Sequence, residues 1–133
     1  MKAIGARATR GLNIGSNVIA ADNSGARIVR ITGVKRGKSK KGRQQYAKIS
    51  DWVKVSVRAG KPEMKGQVFD AVVIRQKKPY RRNTGERVAF TDNAAVLLKD
   101  EKGNPKGTQI KGPIAKEVAE RWPFLAKISK FIM

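Results

Sequence analysis

The stretch Ala71–Leu98, AVVIRQKKPYRRNTGERVAFTDNAAVLL, decides the fold. It reads apolar, then strongly basic, then apolar. Val72, Val73 and Ile74 are β-branched and bounded by polar residues, the pattern of a buried strand. Ala94–Leu98 reads the same way. Between them stand Arg75, Lys77, Lys78, Arg81 and Arg82. Pro79 and Gly85 break regular structure there, which favours an exposed turn over a third strand. The expectation is two core strands holding up a cationic loop that contains Tyr80, rigid at its base and reaching for phosphates at its tip.

Working outward, the strand before this loop extends over Gln67–Gln76, preceded by a turn at Ala59–Gly66. Trp52–Arg58, WVKVSVR, alternates strictly, with Val53, Val55 and Val57 on one face, so it is a half-buried strand with Val inward. Trp52 on the other face is either a partner contact or a lid on the core edge. Ala26–Lys35 also alternates, and Val18–Ala21 precedes it. The turn cluster Asp22-Asn23-Ser24-Gly25 between them makes the pair a hairpin. Val88–Phe90, Ala94–Lys99 and Thr108–Ile110 complete the strand candidates, with Asp100–Lys106 as a loop. Turn signals every 8–12 residues suggest a small antiparallel barrel, which leaves no sticky sheet edge.

The flanks differ. Residues 1–17 are rich in Gly, Asn and cations and read as a mostly irregular basic arm, either frayed or ordered only against RNA. Lys35–Gln45, KRGKSKKGRQQ, holds six cations and two glycines and cannot join a core. It is either a solvated loop or one ordered by phosphates, and the charge of the chain favours the second. After Gly112-Pro113 the period lengthens. Ala115, Val118, Ala119 and Trp122, then Phe124, Leu125, Ile128, Phe131 and Ile132, recur at helical spacing around Pro123, predicting two short helices docked on the barrel. The alternative is an apolar stripe exposed for another protein. One domain of 133 residues results, with an arm at 1–17, a barrel with basic loops at 18–112 and a helical region at 113–133.

Composition narrows function. Lys and Arg number 30 against 10 Asp and Glu, a net charge of +20. Self-repulsion of that size suits a polyanionic partner: nucleic acid first, an anionic membrane surface second. There is no Cys and no His, so thiolate metal sites, disulfides and the usual general base are absent. No catalytic residues, metal ligands or cofactor are expected. No apolar run approaches the length of a membrane span, and the N-terminus lacks a secretory apolar segment. Most of the carboxylates read as solvated surface acids, and Asp22 and Asp92 read as turn caps. Tyr46 and Tyr80, in or beside basic loops, could stack on unpaired bases, yet aromatics make up only 6% of the chain, which fits backbone recognition of folded RNA better.

Several segments together carry a family pattern: DNSGA at Asp22–Ala26, AVVIR at Ala71–Arg75, KKPYRR at Lys77–Arg82, FTDNAAVLL at Phe90–Leu98 and GT-x-IKGP at Gly107–Pro113. The chain resembles the universal large-subunit ribosomal protein L-fourteen family, of archaeal or eukaryotic type, over roughly residues 18–133. Thr84 stands where the family usually has Asp, Asn or Ser. Ser50 stands where a Gly precedes the Asp, pointing to a differently shaped turn, and Gln109 sits where bacterial members often carry Arg.

The resemblance implies a mainly β fold, a small closed five-stranded antiparallel β-barrel with short C-terminal helices. It implies a cytoplasmic structural constituent of the large ribosomal subunit, bound to large-subunit rRNA at the subunit interface. Implied partners are small-subunit rRNA at an intersubunit bridge, neighbouring ribosomal proteins including protein L-three, and a subunit anti-association factor; no membrane is involved. The expected RNA contacts are Asn23, Ser24, Lys35, Arg36, Lys38, Lys40, Lys41, Arg43, Arg75, Lys77, Lys78, Tyr80, Arg81 and Arg82. The expected protein contacts are Thr108, Gln109, Trp122 and Phe124. Charge reversal at Arg81 and Arg82 is expected to weaken assembly and spare the fold. The competing readings are a free β-barrel that binds single-stranded nucleic acid or chaperones RNA and, disfavoured by the missing His and Cys, a small nucleic-acid enzyme.

Overall fold

The computed structural model describes residues 3–35, 41–42 and 44–133. In chain order the strands are β1 (Ala6–Arg7), β2 (Leu12–Asn13), β3 (Asn17–Ala20), β4 (Ala26–Val34), β5 (Tyr46–Ala47), β6 (Trp52–Gly60), β7 (Val68–Arg75), β8 (Tyr80–Arg82), β9 (Arg87–Val88), β10 (Ala94–Leu97) and β11 (Pro113–Ile114). Helices α1 (Lys116–Arg121) and α2 (Pro123–Ile128) follow, and β12 (Phe131–Ile132) closes the order.

Five strands form a closed barrel in the order β10-β3-β4-β6-β7, and β7 pairs back onto β10. The expectation of a purely antiparallel barrel is corrected: β10 runs parallel to β3, with Ala94 opposite Ile19. Parity requires this, because strand direction cannot alternate all the way around a ring of five. The β3–β4 hairpin is antiparallel as expected, pairing Val18 with Val29 across the DNSG turn.

Alternation then turns one face of each barrel strand inward, and β7 and β10 feed a second core with their outer faces. Val29, Ile31, Val53, Val55, Val57, Ala71, Val73, Ala95 and Leu97 fill the barrel. Val72, Ile74, Ala94, Val96 and Leu98 face outward into a second cluster with Tyr80, Ile114, Val118, Trp122 and Leu125. Strands β7 and β10 are therefore covered on both sides, which is why AVVI and AAVLL are unbroken apolar runs instead of alternating ones. The cover is the helical tail. Pro123 occupies the first turn of α2, where its missing N–H costs nothing, and Trp122 both ends α1 and begins α2.

Four expectations change here. The segment Lys77–Arg82 is not all loop: Tyr80–Arg82 is a strand between β1 and β9. The N-terminal arm, mostly irregular as expected, is tied into the fold instead of fraying: Ala6–Arg7 pairs with β8 and Leu12–Asn13 with β5, burying Leu12. Thr108–Ile110 is no strand; only Ile110 bridges, to Asp22. Phe131 and Ile132 do not continue a helix but lie parallel to β11.

Candidate nucleic-acid interface

The cationic stretch after β7 sorts itself by strand alternation. In β8, Tyr80 and Arg82 point inward and Arg81 outward. Tyr80 is fully buried and donates its hydroxyl to Glu117 Oε2 at 2.7 Å. Arg82 donates from Nε to Glu117 Oε1 at 2.7 Å and from Nη2 to Oε2 at 3.3 Å. Its Nη2 also reaches the Met133 carbonyl oxygen. Burial, then the Glu117 carboxylate, pushes the Tyr80 phenol well above its usual range, so it stays a donor. Tyr80 is thus removed from base stacking, and Arg82 is committed to a buried carboxylate.

Arg75 is likewise internal. Its side chain grips Asp92 with Nε and Nη2, at 2.9 and 3.2 Å, and Nη1 donates to the carbonyls of Lys111 and Pro113, both at 2.9 Å. The guanidinium ties the end of β7 to two loops. Gly112 allows this approach: its φ is +78°, and a Cβ there would clash with Nη1. Asp92 therefore serves Arg75, and it is Asn93 whose Oδ1 accepts the Lys77 N–H, at 2.8 Å.

The DNSG turn is a staple. Asp22 Oδ1 accepts from Ser24 Oγ at 2.7 Å while Oδ2 accepts the Leu97 N–H at 3.1 Å. Asn23 Oδ1 accepts the Thr108 N–H at 2.7 Å, and Nδ2 donates to Thr108 Oγ1 at 2.7 Å. The residues expected to meet RNA (Asn23, Ser24) and protein (Thr108, Gln109) thus adjoin on one patch, with Asn23, Thr108 and Gln109 exposed. Glu117 is buried, correcting its reading as a surface acid, while Asp22, also buried, caps the DNSG turn as expected.

Lys77, Lys78 and Arg81 remain exposed, as does Lys41. Lys35 lies with Nζ 4.7 Å from the centre of the Trp52 ring. Arg36, Lys38, Lys40 and Arg43 lie outside the described residues. Trp52 meets Trp122 edge to face at 6.2 Å, and Trp122 is buried, donating Nε1–H to the Ser50 carbonyl at 3.0 Å. Trp122 is core, then, not a partner contact, whereas Phe124 is 40% exposed. Ser50 itself has φ +71°, is fully buried, and its hydroxyl has no partner among the described residues. The altered turn anticipated at this position is a left-handed residue that a glycine would occupy without strain.

Sequence reasoning missed Glu117, Arg7 and Arg87. Glu117 sits beside the apolar face of α1, one residue before buried Val118, and that position was its only signal.

A closed barrel that buries Asp22 and Glu117 and presents Lys77, Lys78 and Arg81 to solvent is a scaffold for an anionic partner. The sequence pattern of ribosomal protein L14p/L23e matches residues 11–133. The chain is 56% identical to the large ribosomal subunit protein uL14 of Nanoarchaeum equitans, covering the whole of both chains. It is 49% identical to that of Thermoplasma acidophilum and 50% to that of Halobacterium salinarum, again over the full length of each. The chain belongs to the L14p/L23e ribosomal protein family, a family of structural proteins and not of enzymes. No described helix is long and apolar enough to cross a membrane.

Proposed function

We propose that the chain is a structural constituent of the large ribosomal subunit in the cytoplasm and binds large-subunit rRNA through its exposed cations. Full-length identity of about half or more to large-subunit proteins carries this reading. The surface supports it: Lys77, Lys78 and Arg81 face solvent on a framework fixed by Arg75, Arg82 and Glu117. Their work is charge neutralisation and positioning. Contact with small-subunit rRNA at a bridge and with protein L-three belongs to the same proposal. A subunit anti-association factor would dock near the C-terminal end, through the exposed Thr108, Gln109 and Phe124. The reading as a free single-strand binder loses one of its two loop tyrosines, since Tyr80 is in the core.

Density-gradient fractionation of cell extract tests this. Co-migration with large subunits through a high-salt wash is the expected result. Release at modest salt, or migration near the top of the gradient, would favour the free RNA binder.

A further inference from the structure

We propose that Arg7, Arg81 and Arg87 form a three-rung guanidinium ladder that seats successive phosphates of one RNA strand lying across the β1–β8–β9 sheet. The proposal rests on the rRNA-binding reading and gives it an address. Arg7 is the direct cross-strand partner of Arg81, and Arg81 is the direct partner of Arg87. Directly opposed residues in antiparallel strands share a face and stand roughly 5 Å apart. The three arginines therefore form one row, about 10 Å from first to last, perpendicular to the strands. Their neighbours Ala6, Tyr80, Arg82 and Val88 take the other face, against the second core.

All three side chains are exposed, and none has an ion pair or side-chain hydrogen bond among the described residues. The carboxylate of the same hairpin, Glu86, lies 4.0 Å from Arg82 Nη1 instead. Like charges directly opposite one another destabilise a sheet. Here two such pairs share a central residue, in strands of only two or three residues. No carboxylate among the described residues pairs with this row, so the arrangement calls for an external anion. One carboxylate would meet one rung. A chain of phosphates repeating across the strands meets all three, and each guanidinium can fork onto two phosphate oxygens. The N-terminal strand thus acts as part of the binding surface, because it supplies the first rung.

The proposal gives opposite signs for folding and binding. Arg81→Gln removes the central repulsion, so the melting temperature of the isolated protein should equal or exceed that of the wild type. Binding of the same variant to purified large-subunit rRNA should weaken. The slope of log affinity against log salt should fall by about 0.7 for each of Arg7→Gln, Arg81→Gln and Arg87→Gln. An unchanged slope at wild-type affinity would overturn the ladder. So would an unchanged slope on naked rRNA together with loss of a neighbouring protein from subunits carrying the variant, which would assign the row to an acidic protein. A melting temperature below that of the wild type would also count against it. If the wild type itself shows no salt-dependent binding to rRNA, the rRNA-binding reading fails first, and the ladder with it.

Discussion

Tyr80 donates its hydroxyl to Glu117 at 2.7 Å, joining a strand of the basic segment to the first C-terminal helix. The bond makes half of a stretch that looks built for RNA into part of the core. Removing it with Tyr80→Phe should cost about 2 kcal/mol, the range for a buried hydrogen bond to a charged group. Chemical denaturation of the isolated protein measures this. Unchanged stability would mean that Arg82 alone satisfies Glu117.

Ser50 holds a left-handed conformation, with a buried hydroxyl that finds no partner among the described residues. Ser50→Gly should stabilise the protein by about 1 kcal/mol, net of the extra freedom glycine gives the unfolded chain. Ser50→Ala should gain less, because it removes the hydroxyl and keeps the strained backbone. Thermal unfolding should place the glycine variant about 3–5 °C above wild type; a lower midpoint for glycine than for alanine would refute the strain argument.

Arg75 and Gly112 are expected to fail together. Gly112→Ala places a methyl against Nη1 at a positive φ and should destabilise by about 2 kcal/mol or more. Once Arg75→Ala has removed the guanidinium, the added cost of Gly112→Ala should shrink to the backbone strain. A double-mutant cycle with fully additive costs would show that the two residues act separately.

Asp51 has its carboxyl raised above the usual range, first by burial, against lowering contributions from the Lys48 N–H and nearby cations. The folded state therefore binds this proton more tightly than the unfolded state does. The stability contributed by that proton is present below the unfolded value and is lost as pH rises through the folded value. Relative to Asp51→Asn, wild type should gain stability as pH falls from neutral through the carboxylate range. Urea midpoints of the pair across that range would expose a wrong sign if the difference stayed flat or moved the other way.

Much of this architecture was legible because burial leaves a period. The runs Ala71–Ile74 and Ala94–Leu98 announced doubly covered strands, and Val53, Val55 and Val57 announced a half-covered one. The DNSG hairpin followed from turn chemistry. What escaped notice was too short to have a period. Ala6–Arg7, Leu12–Asn13 and Phe131–Ile132 have two residues each, and their pairing is set by distant partners. The inward turn of Arg82 was hidden for a different reason. KKPYRR is uniformly polar around one tyrosine, so which cation faces the core depends on Glu117, 35 residues downstream. Arg81 and Arg82 were therefore expected to behave alike, and the structure divides them.

That division is the most direct test of the account. Arg81→Glu and Arg82→Glu should each be followed in two assays, thermal unfolding of the isolated protein and incorporation into large subunits on a high-salt gradient. Arg81→Glu is expected to retain the wild-type melting transition and to be depleted from subunits. Arg82→Glu, which leaves Glu117 buried beside a second carboxylate, is expected to lose about 3 kcal/mol or more and to melt early before any question of binding arises. A stably folded Arg82→Glu protein, or an Arg81→Glu protein that unfolds while assembly of the folded fraction is normal, would contradict the claim that one face of β8 holds the fold and the other meets RNA.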